Sequence, residues 1–269
     1  MHAVVKAALT PVRASPDVKA EQTSQEVMGS VLRILEESDD WVRVRGEDNY
    51  EGWVHGGGLI VGGGERAEAW WDDLGGQPAV ALDCTIKIAG GVALLRLPWG
   101  ARVALRDEGA VLPDGREGRV SDGRVLSWTK LGARFPQDGA AVVGTAREWQ
   151  GAPYVWGGRT RWGTDCSGFV QAVYRLHGFL LPRDSHQQAE IGELVPYDPD
   201  LADLRPGDLL YFRGRGSPQI THVAMSTGGA EILHAAEANG EVGRDNLAGD
   251  APLERSLAAR LSVIRRLFR

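Results

Sequence analysis

The first half of the chain alternates short apolar runs with polar and turn residues, a pattern that indicates small antiparallel β units. Residues 41–45 and 50–54 alternate apolar and polar positions, as two antiparallel strands joined by a polar loop would. Other strand-length runs cover residues 3–9, 27–36, 81–88, 92–97 and 101–106. We therefore predict two small all-β barrels, at residues 1–62 and 79–131, with a linker at 63–78.

Two features stand out against this strand pattern. Trp70 and Trp71 are adjacent within the predicted linker, and such a pair indicates a patch buried between domains rather than a ligand platform. Cys84 falls in a strand pattern of the second predicted barrel, where we expect it to act as a small buried hydrophobic residue.

The pattern changes after about residue 134, where helical spacing replaces alternation. Apolar residues recur every three or four positions over 140–149 and again over 169–177, and Gly178 stands where a helix would end. Strand-length runs follow at residues 208–213, 220–227, 230–236 and 262–268. Helices followed by strands predict an α+β layer domain at residues 132–269.

Composition and charge narrow the range of functions. Hydrophobic residues form 43% of the 269-residue chain and charged residues 25%, which is typical of a globular protein. The formal net charge of -6 provides no basic surface for phosphates, so nucleic acid is not expected as a partner. We also expect a monomer.

Targeting features are missing from the sequence. No apolar run reaches the roughly 18 to 20 residues that a membrane-spanning helix needs, so we expect no membrane contact. The first ten residues lack the basic region and apolar core of an export signal, which favours a cytoplasmic location. An exported protein whose signal segment was removed is the alternative. Two cysteines 82 positions apart exclude a disulfide framework and suit a reducing compartment.

Cys166 is the candidate nucleophile. It lies between Thr164-Asp165 and Ser167-Gly168 at the predicted start of a helix, where unpaired N–H groups and the helix dipole favour a thiolate. A buried, inert cysteine is the alternative, but such a residue seldom has these neighbours at a helix start. We therefore interpret Cys166 as catalytic.

A thiolate that attacks an amide needs a base that later protonates the leaving amine, and histidine suits this task near neutral pH. His222 and His234 lie on consecutive predicted strands, and a three-residue loop at 227–229 would place them opposite each other on one face. His222 would then be the base, and His234 would hold its ring in the right tautomer. Two core histidines are the alternative, whereas His177 and His186 are expected at solvated or edge positions.

Four ordered segments resemble the signatures of NlpC-type cell-wall cysteine peptidases, over roughly residues 140–269. They are PYVWGG at 153–158, DCSGFV at 165–170, LRPGDL at 204–209 and THVA at 221–224. The resemblance implies a papain-like fold and a Cys-His-His site at Cys166, His222 and His234. Residues 41–59, with a Trp-Val-x-Val run and a Gly-Trp-Val run, are similar to bacterial Src-homology-type barrels.

Two small barrels ahead of an α+β papain-like domain resemble the layout of γ-D-glutamyl-L-diamino-acid endopeptidases that recycle wall fragments. The resemblance implies hydrolysis of the bond between γ-D-glutamate and meso-diaminopimelate or L-lysine, in murein peptides with a free N-terminal L-alanine. It also implies supporting residues: Tyr154 as a donor near the oxyanion, Asp165 or Asp184 for the amine, Ser167 and Ser185 for the glutamate carboxylate, and Glu21 and Tyr50 from the first barrel.

Motifs for metals and nucleotides are missing, since the sequence has no His-Glu-x-x-His, no Cys-x-x-Cys and no phosphate loop. We therefore expect no metal and no cofactor. Three alternatives stay open: a hydrolase of intact peptidoglycan, a non-catalytic wall-peptide binding protein, and an acyltransferase that uses the same thiol.

Overall fold

The structure is a computed structural model that describes residues 1–62, 70–107, 109–198 and 200–268. Its chain divides into two units, residues 1–131 and 132–269. The first part of the predicted linker, residues 63–69, lies outside the described residues. The predicted boundaries between the barrels and the linker stay predictions.

The first small barrel is built from seven antiparallel strands in the order β3-β2-β6-β5-β4-β1-β7. The strands are β1 His2–Val5, β2 Leu9–Arg13, β3 Gln22–Val27, β4 Val31–Ser38, β5 Trp41–Arg45, β6 Glu51–His55 and β7 Leu59–Val61. Strand β2 was not expected, because Pro11 indicates a break in the chain. Proline is tolerated here because β2 pairs with β6 only at Arg13, so its other edge is nearly open.

The second small barrel has five strands in the order β10-β11-β12-β8-β9. They are β8 Gln77–Ile88, β9 Leu94–Leu97, β10 Arg102–Arg106, β11 Gly109–Val111 and β12 Glu117–Ser127. The sheet closes on itself because β10 pairs with both β11 and β8. Cys84 is buried in the core of this barrel as a free thiol, as predicted, and burial raises its pKa to about 11.

The two adjacent tryptophans lie on helix α1, Trp70–Asp73, and pack between the two small barrels. Both are buried in a cluster with Val4 of the first barrel and Val111 of the second. The Trp70 indole N–H donates to the Gly29 carbonyl oxygen at 3.3 Å, so its one polar atom is satisfied. The prediction of a patch buried between domains is confirmed.

The second unit packs helices against an antiparallel sheet, with the strand order β15-β20-β16-β17-β18-β19. Its helices are α2 Trp128–Arg134, which begins in the first unit, α3 Gly139–Arg147, α4 Cys166–Leu176, α5 Ser185–Gln188 and α6 Pro252–Ala258. Its strands are β13 Arg159–Thr160, β14 Gly163–Thr164, β15 Glu193–Leu194, β16 Leu209–Arg213, β17 Ile220–Gly228, β18 Glu231–Ala236, β19 Glu241–Asn246 and β20 Leu261–Arg266.

The central helix of this unit is amphipathic and carries the cysteine at its first residue. Helix α4 packs its apolar side chains, among them Phe169, Val170 and Val173, against β17 and β18. The helix ends before Gly178, whose φ of 84° is easily adopted only by glycine. A cysteine-bearing helix on an antiparallel sheet that carries the histidines is the papain-like arrangement. Across the described ranges, no helix is long and apolar enough to span a membrane.

His177 corrects one expectation, because this histidine is buried rather than solvated or at an edge. Its Nδ1 lies 2.6 Å from the Pro136 carbonyl oxygen and its Nε2 lies 2.9 Å from the Thr145 hydroxyl. Both ring nitrogens therefore have protein partners that replace water. His186, by contrast, is exposed as expected.

Candidate active site

Cys166 lies at the N-terminus of α4 and lines a pocket of about 480 Å³. The side chains of Tyr154, His222 and His234 line the same pocket. The cysteine is 8% exposed, so most of its surface is covered by protein. The structure thus brings together the three predicted catalytic residues and the predicted oxyanion donor.

Asp165 caps the helix that begins with Cys166. Its Oδ1 accepts from the Gly168 N–H at 2.8 Å, and its Oδ2 accepts from the Gly157 N–H at 2.9 Å. Arg183, which is itself buried, donates to both oxygens at 3.0 and 2.5 Å. The Ser167 hydroxyl also donates to Oδ1, at 3.3 Å. These donors fill the carboxylate, so Asp165 has no lone pair directed at a substrate ammonium.

Arg183 was not predicted, although it precedes two candidate substrate residues in the chain. It pairs with Asp165 in the protein interior and donates to the Ser167 hydroxyl oxygen at 2.8 Å. Gln188, on α5, donates to the Ser167 carbonyl oxygen at 3.1 Å. Helix α5 and the segment before it are therefore tied to the first turn of α4 by buried polar contacts. No pattern along the sequence distinguishes such an arginine from a solvated one.

The Cys166 sulfur is a thiol at rest, whereas the sequence suggested a thiolate. Burial, followed by the nearby Asp165 carboxylate, raises its pKa to about 12. The backbone N–H groups of Val223 and Ser167 lower the pKa, as a helix start should, but they do not outweigh burial. A base must therefore take the thiol proton when the sulfur attacks.

His222 lies on β17 and lines the same pocket as Cys166, and His234 lies beside His222 on β18. The His222 Nε2 and His234 Nδ1 atoms are 2.8 Å apart. Loss of water contact, followed by the neighbouring His234 and Arg260, lowers the pKa of His222 well below 6.5, so its ring is neutral. Before reaction, a neutral imidazole and a neutral thiol leave no buried charge without a partner. The imidazole can still accept the thiol proton.

The loop between these two strands differs from the prediction, although the two histidines share a face. Strand β17 pairs with β18 through Met225↔Leu233 and Ser226↔Ile232, so His222 is not directly opposite His234. The loop holds two residues, and a bulge between Ser226 and Gly228 shifts the register. A two-residue loop alone would place His222 and His234 on opposite faces of the sheet. The extra residue of the bulge shifts the register by one, so both side chains lie on the same face.

Asp245 extends the line of side chains beyond His234, and sequence reasoning missed it. Its Oδ2 lies 2.7 Å from the His234 Nε2 and accepts from the Asn239 side-chain amide at 2.8 Å. These hydrogen bonds, from His234 first, lower the pKa of Asp245 below 3.8. An Asn239-Gly240 pair favours a hairpin turn and was the available signal that residues 241–246 form a strand beside β18.

The other predicted site residues lie in three places: in the pocket, at the start of α5 and in the first unit. Burial raises the pKa of Tyr154 above 10, so its hydroxyl keeps its proton and can act as a donor. Asp184 and Ser185 lie at the start of α5, where Asp184 makes no side-chain cap. Glu21 and Tyr50 belong to the first unit, and their part in the site stays a prediction. Among the residues that the structure describes, no group of three or more His, Cys, Asp or Glu side chains could hold a metal ion.

Comparisons with known proteins agree with this geometry. The NlpC/P60 family matches residues 151–261, and the bacterial SH3 domain matches residues 8–60. A gamma-D-glutamyl-L-lysine dipeptidyl-peptidase of Bacillus cereus is 28% identical over 243 residues, which cover 81% of this chain and 68% of that protein. The protein of the same name from Bacillus subtilis is 38% identical over 122 residues, but the match covers only 40% of this chain and 39% of that protein.

A solved structure supports the fold over the whole chain. The crystal structure of an NlpC/P60 family protein from Bacillus cereus superposes with a TM-score of 0.82 at 21% identity and covers 100% of both chains. The fold, the shared pocket and the sequence matches lead to one assignment. The chain is a cysteine peptidase that carries a bacterial SH3 domain ahead of an NlpC/P60 domain at residues 151–261.

Proposed function

We propose that this peptidase hydrolyses the bond between γ-D-glutamate and the diamino acid of murein peptides, with Cys166 as nucleophile, His222 as base and His234 as the group that orients it. The observation that carries the proposal is the single pocket that Cys166, His222 and His234 line together. Two relatives named gamma-D-glutamyl-L-lysine dipeptidyl-peptidases support the choice of bond. A cytoplasmic location stays a prediction.

The reaction begins when the Cys166 sulfur attacks the γ-carbonyl carbon of the D-glutamyl residue and His222 accepts the thiol proton. The carbonyl double bond opens, and the negative charge on its oxygen is stabilised by the Tyr154 hydroxyl and the N–H groups at the start of α4. His222 then gives its proton to the leaving amine nitrogen as the C–N bond breaks. A thioester remains on Cys166.

Water completes the cycle. His222 removes a proton from the water molecule that attacks the thioester, and the carbon–sulfur bond breaks. The dipeptide leaves with a new carboxylate on its glutamyl residue, and the sulfur takes the proton back from His222. An amine in place of water would make the enzyme an acyltransferase, so the acceptor must be tested directly.

Asp184 is the remaining candidate for the free N-terminal amine of the substrate. Asp165 was the other candidate, but its oxygens accept from Arg183 and from the backbone. Ser185 is buried next to Asp184 at the start of α5 and is the candidate for the glutamate carboxylate. An ammonium ion and a carboxylate each need such a partner where water is excluded.

Mass spectrometry of digests tests the proposal against its alternatives. Purified protein is incubated with L-Ala-γ-D-Glu-meso-diaminopimelate, with the N-acetylated form of that peptide, and with an intact wall preparation. We expect release of the diamino acid from the free-amine peptide and at least tenfold slower release from the acetylated one, because acetylation removes a charge that needs an acidic partner.

The other outcomes are equally informative. Solubilised wall with no cleavage of the free peptide would replace the proposal with a hydrolase of the polymer. Cleavage of neither would leave the wall-peptide binding protein as the interpretation. Addition of a primary amine that ends up on the glutamyl product would identify an acyltransferase.

A further inference from the structure

A continuous line of hydrogen bonds runs from the pocket into the sheet through three strands. It joins His222 on β17 to His234 on β18 at 2.8 Å and His234 to Asp245 on β19 at 2.7 Å. His234 is fully buried, and the Asp245 side chain is 13% exposed. Asn239 donates its amide N–H to the same Asp245 oxygen at 2.8 Å.

The line has a defined direction, because each neutral imidazole donates through one nitrogen and accepts through the other. An ionised Asp245 only accepts, so the His234 Nε2 must carry the proton. The His234 Nδ1 is then the acceptor, and the His222 Nε2 must donate to it. This leaves the His222 Nδ1 with a lone pair and no proton.

We propose that Asp245 is a positioning residue: through His234 it holds the proton of His222 on Nε2 and leaves Nδ1 to take the proton from Cys166. The inference rests on the proposed function, because it assigns a role within the Cys166 and His222 pair. When His222 becomes an imidazolium, the Asp245 charge also balances it across the ring of His234. The protonation of the His222 Nδ1 atom therefore depends on side chains from three strands.

Asn239 determines how the side chain of an Asp245→Asn variant would be oriented. In Asp245→Asn the side-chain carbonyl oxygen is expected to stay in place, because Asn239 and His234 both donate to that position. This variant loses the charge and keeps the acceptor. Asp245→Leu, of similar size, loses both and no longer fixes the tautomer of either histidine.

The kinetic test compares these two variants with Glu231→Gln, which removes a partly exposed carboxylate from the same hairpin. We expect kcat to fall about 10-fold in Asp245→Asn and about 10²-fold in Asp245→Leu, the range found for groups that orient a metal-ligating side chain. In Asp245→Asn both limbs of the pH profile should move down by about one unit, because the negative charge that favours the imidazolium is gone. Glu231→Gln should leave the rate and both limbs unchanged.

Nuclear magnetic resonance of the ring nitrogens tests the tautomers without substrate. We expect protonated Nε2 and unprotonated Nδ1 in both His222 and His234 of the wild type, and a mixture of tautomers at His222 in Asp245→Leu. A proton on the His222 Nδ1 of the wild type would overturn the proposal. So would a pH profile with unmoved limbs in Asp245→Asn, since that is the result of a purely structural contact. Neither result depends on which peptide is the substrate.

A pocket wall formed by five side chains carries a second, independent feature. Arg215 and Arg260 both line it, together with Glu237 and the apolar side chains of Leu253 and Leu257. Arg215 is exposed and has no ion-pair or hydrogen-bond partner within the described ranges. The wall therefore offers two positive charges, one negative charge and an apolar strip.

Arg260 is fixed by two hydrogen bonds, and its positive charge affects the pKa of His222. Its Nε and Nη1 donate to the carbonyl oxygens of Ser256 and Arg213 at 3.0 and 2.7 Å. It also lowers the pKa of His222, and Arg215 in turn lowers the pKa of Arg260 after the larger effect of burial. The side chains of Arg215, Arg260 and His222 line the same pocket.

His222 protonates the leaving amine in the proposed reaction, so the leaving diamino acid occupies the wall beside it. We infer that this wall binds a diamino acid with a carboxylate on its side chain, and that the enzyme prefers meso-diaminopimelate to L-lysine. Lysine ends in an ammonium group alone, whereas diaminopimelate adds the carboxylate that an arginine binds with two hydrogen bonds. Leu253 and Leu257 suit the methylene stem that both amino acids share.

The test measures the ratio of kcat/KM for L-Ala-γ-D-Glu-meso-diaminopimelate and L-Ala-γ-D-Glu-L-lysine. We expect the wild type to prefer the first peptide at least tenfold, and Arg215→Gln to lose about tenfold of that preference. Arg215→Lys should keep most of it. Arg213→Gln is the control, because that exposed arginine donates to Ser262 rather than lining the pocket.

Two results would overturn the preference: faster cleavage of the lysine peptide by the wild type, or an unchanged ratio in Arg215→Gln. Failure to cleave either peptide would instead count against the proposed function. A diaminopimelate peptide whose side-chain carboxylate is amidated should behave like the lysine peptide. Equal rates for the amidated and free forms would also contradict the inference.

Discussion

The helix side and the sheet side of the active site each hold an aspartate, and the two differ in their partners. Asp165, before the first residue of α4, accepts from the Arg183 guanidinium and from backbone N–H groups. Asp245, on β19, accepts from the ring of His234. Arginine and the backbone keep their protons, whereas histidine changes its protonation near neutral pH.

Asp165 therefore belongs to a rigid support, whereas Asp245 belongs to a line of groups that can move a proton. The Asp165 and Arg183 pair has no proton to move, and it fixes the helix start from which Cys166 projects. In the proposed mechanism, the Asp245 line ends on a His222 nitrogen that accepts and returns a proton in each cycle. Changes to the Asp165 and Arg183 pair should therefore lower stability, and changes along the Asp245 line should lower the rate.

The largest effect is expected at the end of the sheet-side line. His222→Ala removes the base and should lower kcat by about 10⁴-fold, with little change in the melting temperature. His186→Ala is the matched control, since that histidine is exposed on α5 and should leave the rate unchanged. A rate within tenfold of the wild type in His222→Ala would remove the histidine from the mechanism.

Arg183→Met should have the largest effect on stability. It leaves the Asp165 carboxylate buried without its ion-pair partner, which costs about 3–5 kcal/mol of the free energy of unfolding. Arg134→Met breaks the exposed pair with Glu148 and should cost less than about 1 kcal/mol. Denaturant unfolding of both variants measures the difference, and equal costs would contradict the contrast between the two sides.

His234→Ala should have an intermediate effect on the rate. His222 keeps its place as base but loses the ring that holds its Nε2 proton, so kcat should fall by about 10²-fold, less than in His222→Ala. Steady-state kinetics on the same peptide provide the comparison. A loss as large as that of His222→Ala would mean that the two rings act as one unit.

The smallest effect concerns pH and stability. Burial lowers the pKa of His177, so the unfolded chain takes up a proton at pH values where the folded protein does not. The stability is complete above the unfolded pKa of about 6.5 and is lost as the pH falls toward the folded value. His177→Gln should flatten the fall in melting temperature between pH 7 and pH 5. An unchanged slope would assign the dependence to other groups, His222 first.

The sequence motifs anticipated the catalytic helix because its signals are local. Cys166 follows a capping aspartate, apolar positions recur along α4, and Gly178 ends it, so each prediction depends on residues a few positions apart. The common face of His222 and His234 also followed from alternation along strands. The predicted register was wrong, because a bulge is not visible in a loop of mixed glycine and threonine.

Contacts between distant segments could not be predicted in the same way. Arg183 is 18 residues from Asp165 and reaches it only after the chain has folded back. Asp245 lies on a strand in which Val242 is the only fully buried side chain, so the hydrophobic pattern was too weak to indicate a strand. The thiol state of Cys166 follows from burial, which a helix position alone does not specify.

The central claim is that Cys166 forms the covalent bond to the glutamyl carbon. The most direct measurement follows release of the diamino acid from L-Ala-γ-D-Glu-meso-diaminopimelate by the wild type and by Cys166→Ala at equal concentration, with circular dichroism to verify that the variant is folded. The account predicts steady release by the wild type and none above background by Cys166→Ala. Equal release by a folded Cys166→Ala would contradict it.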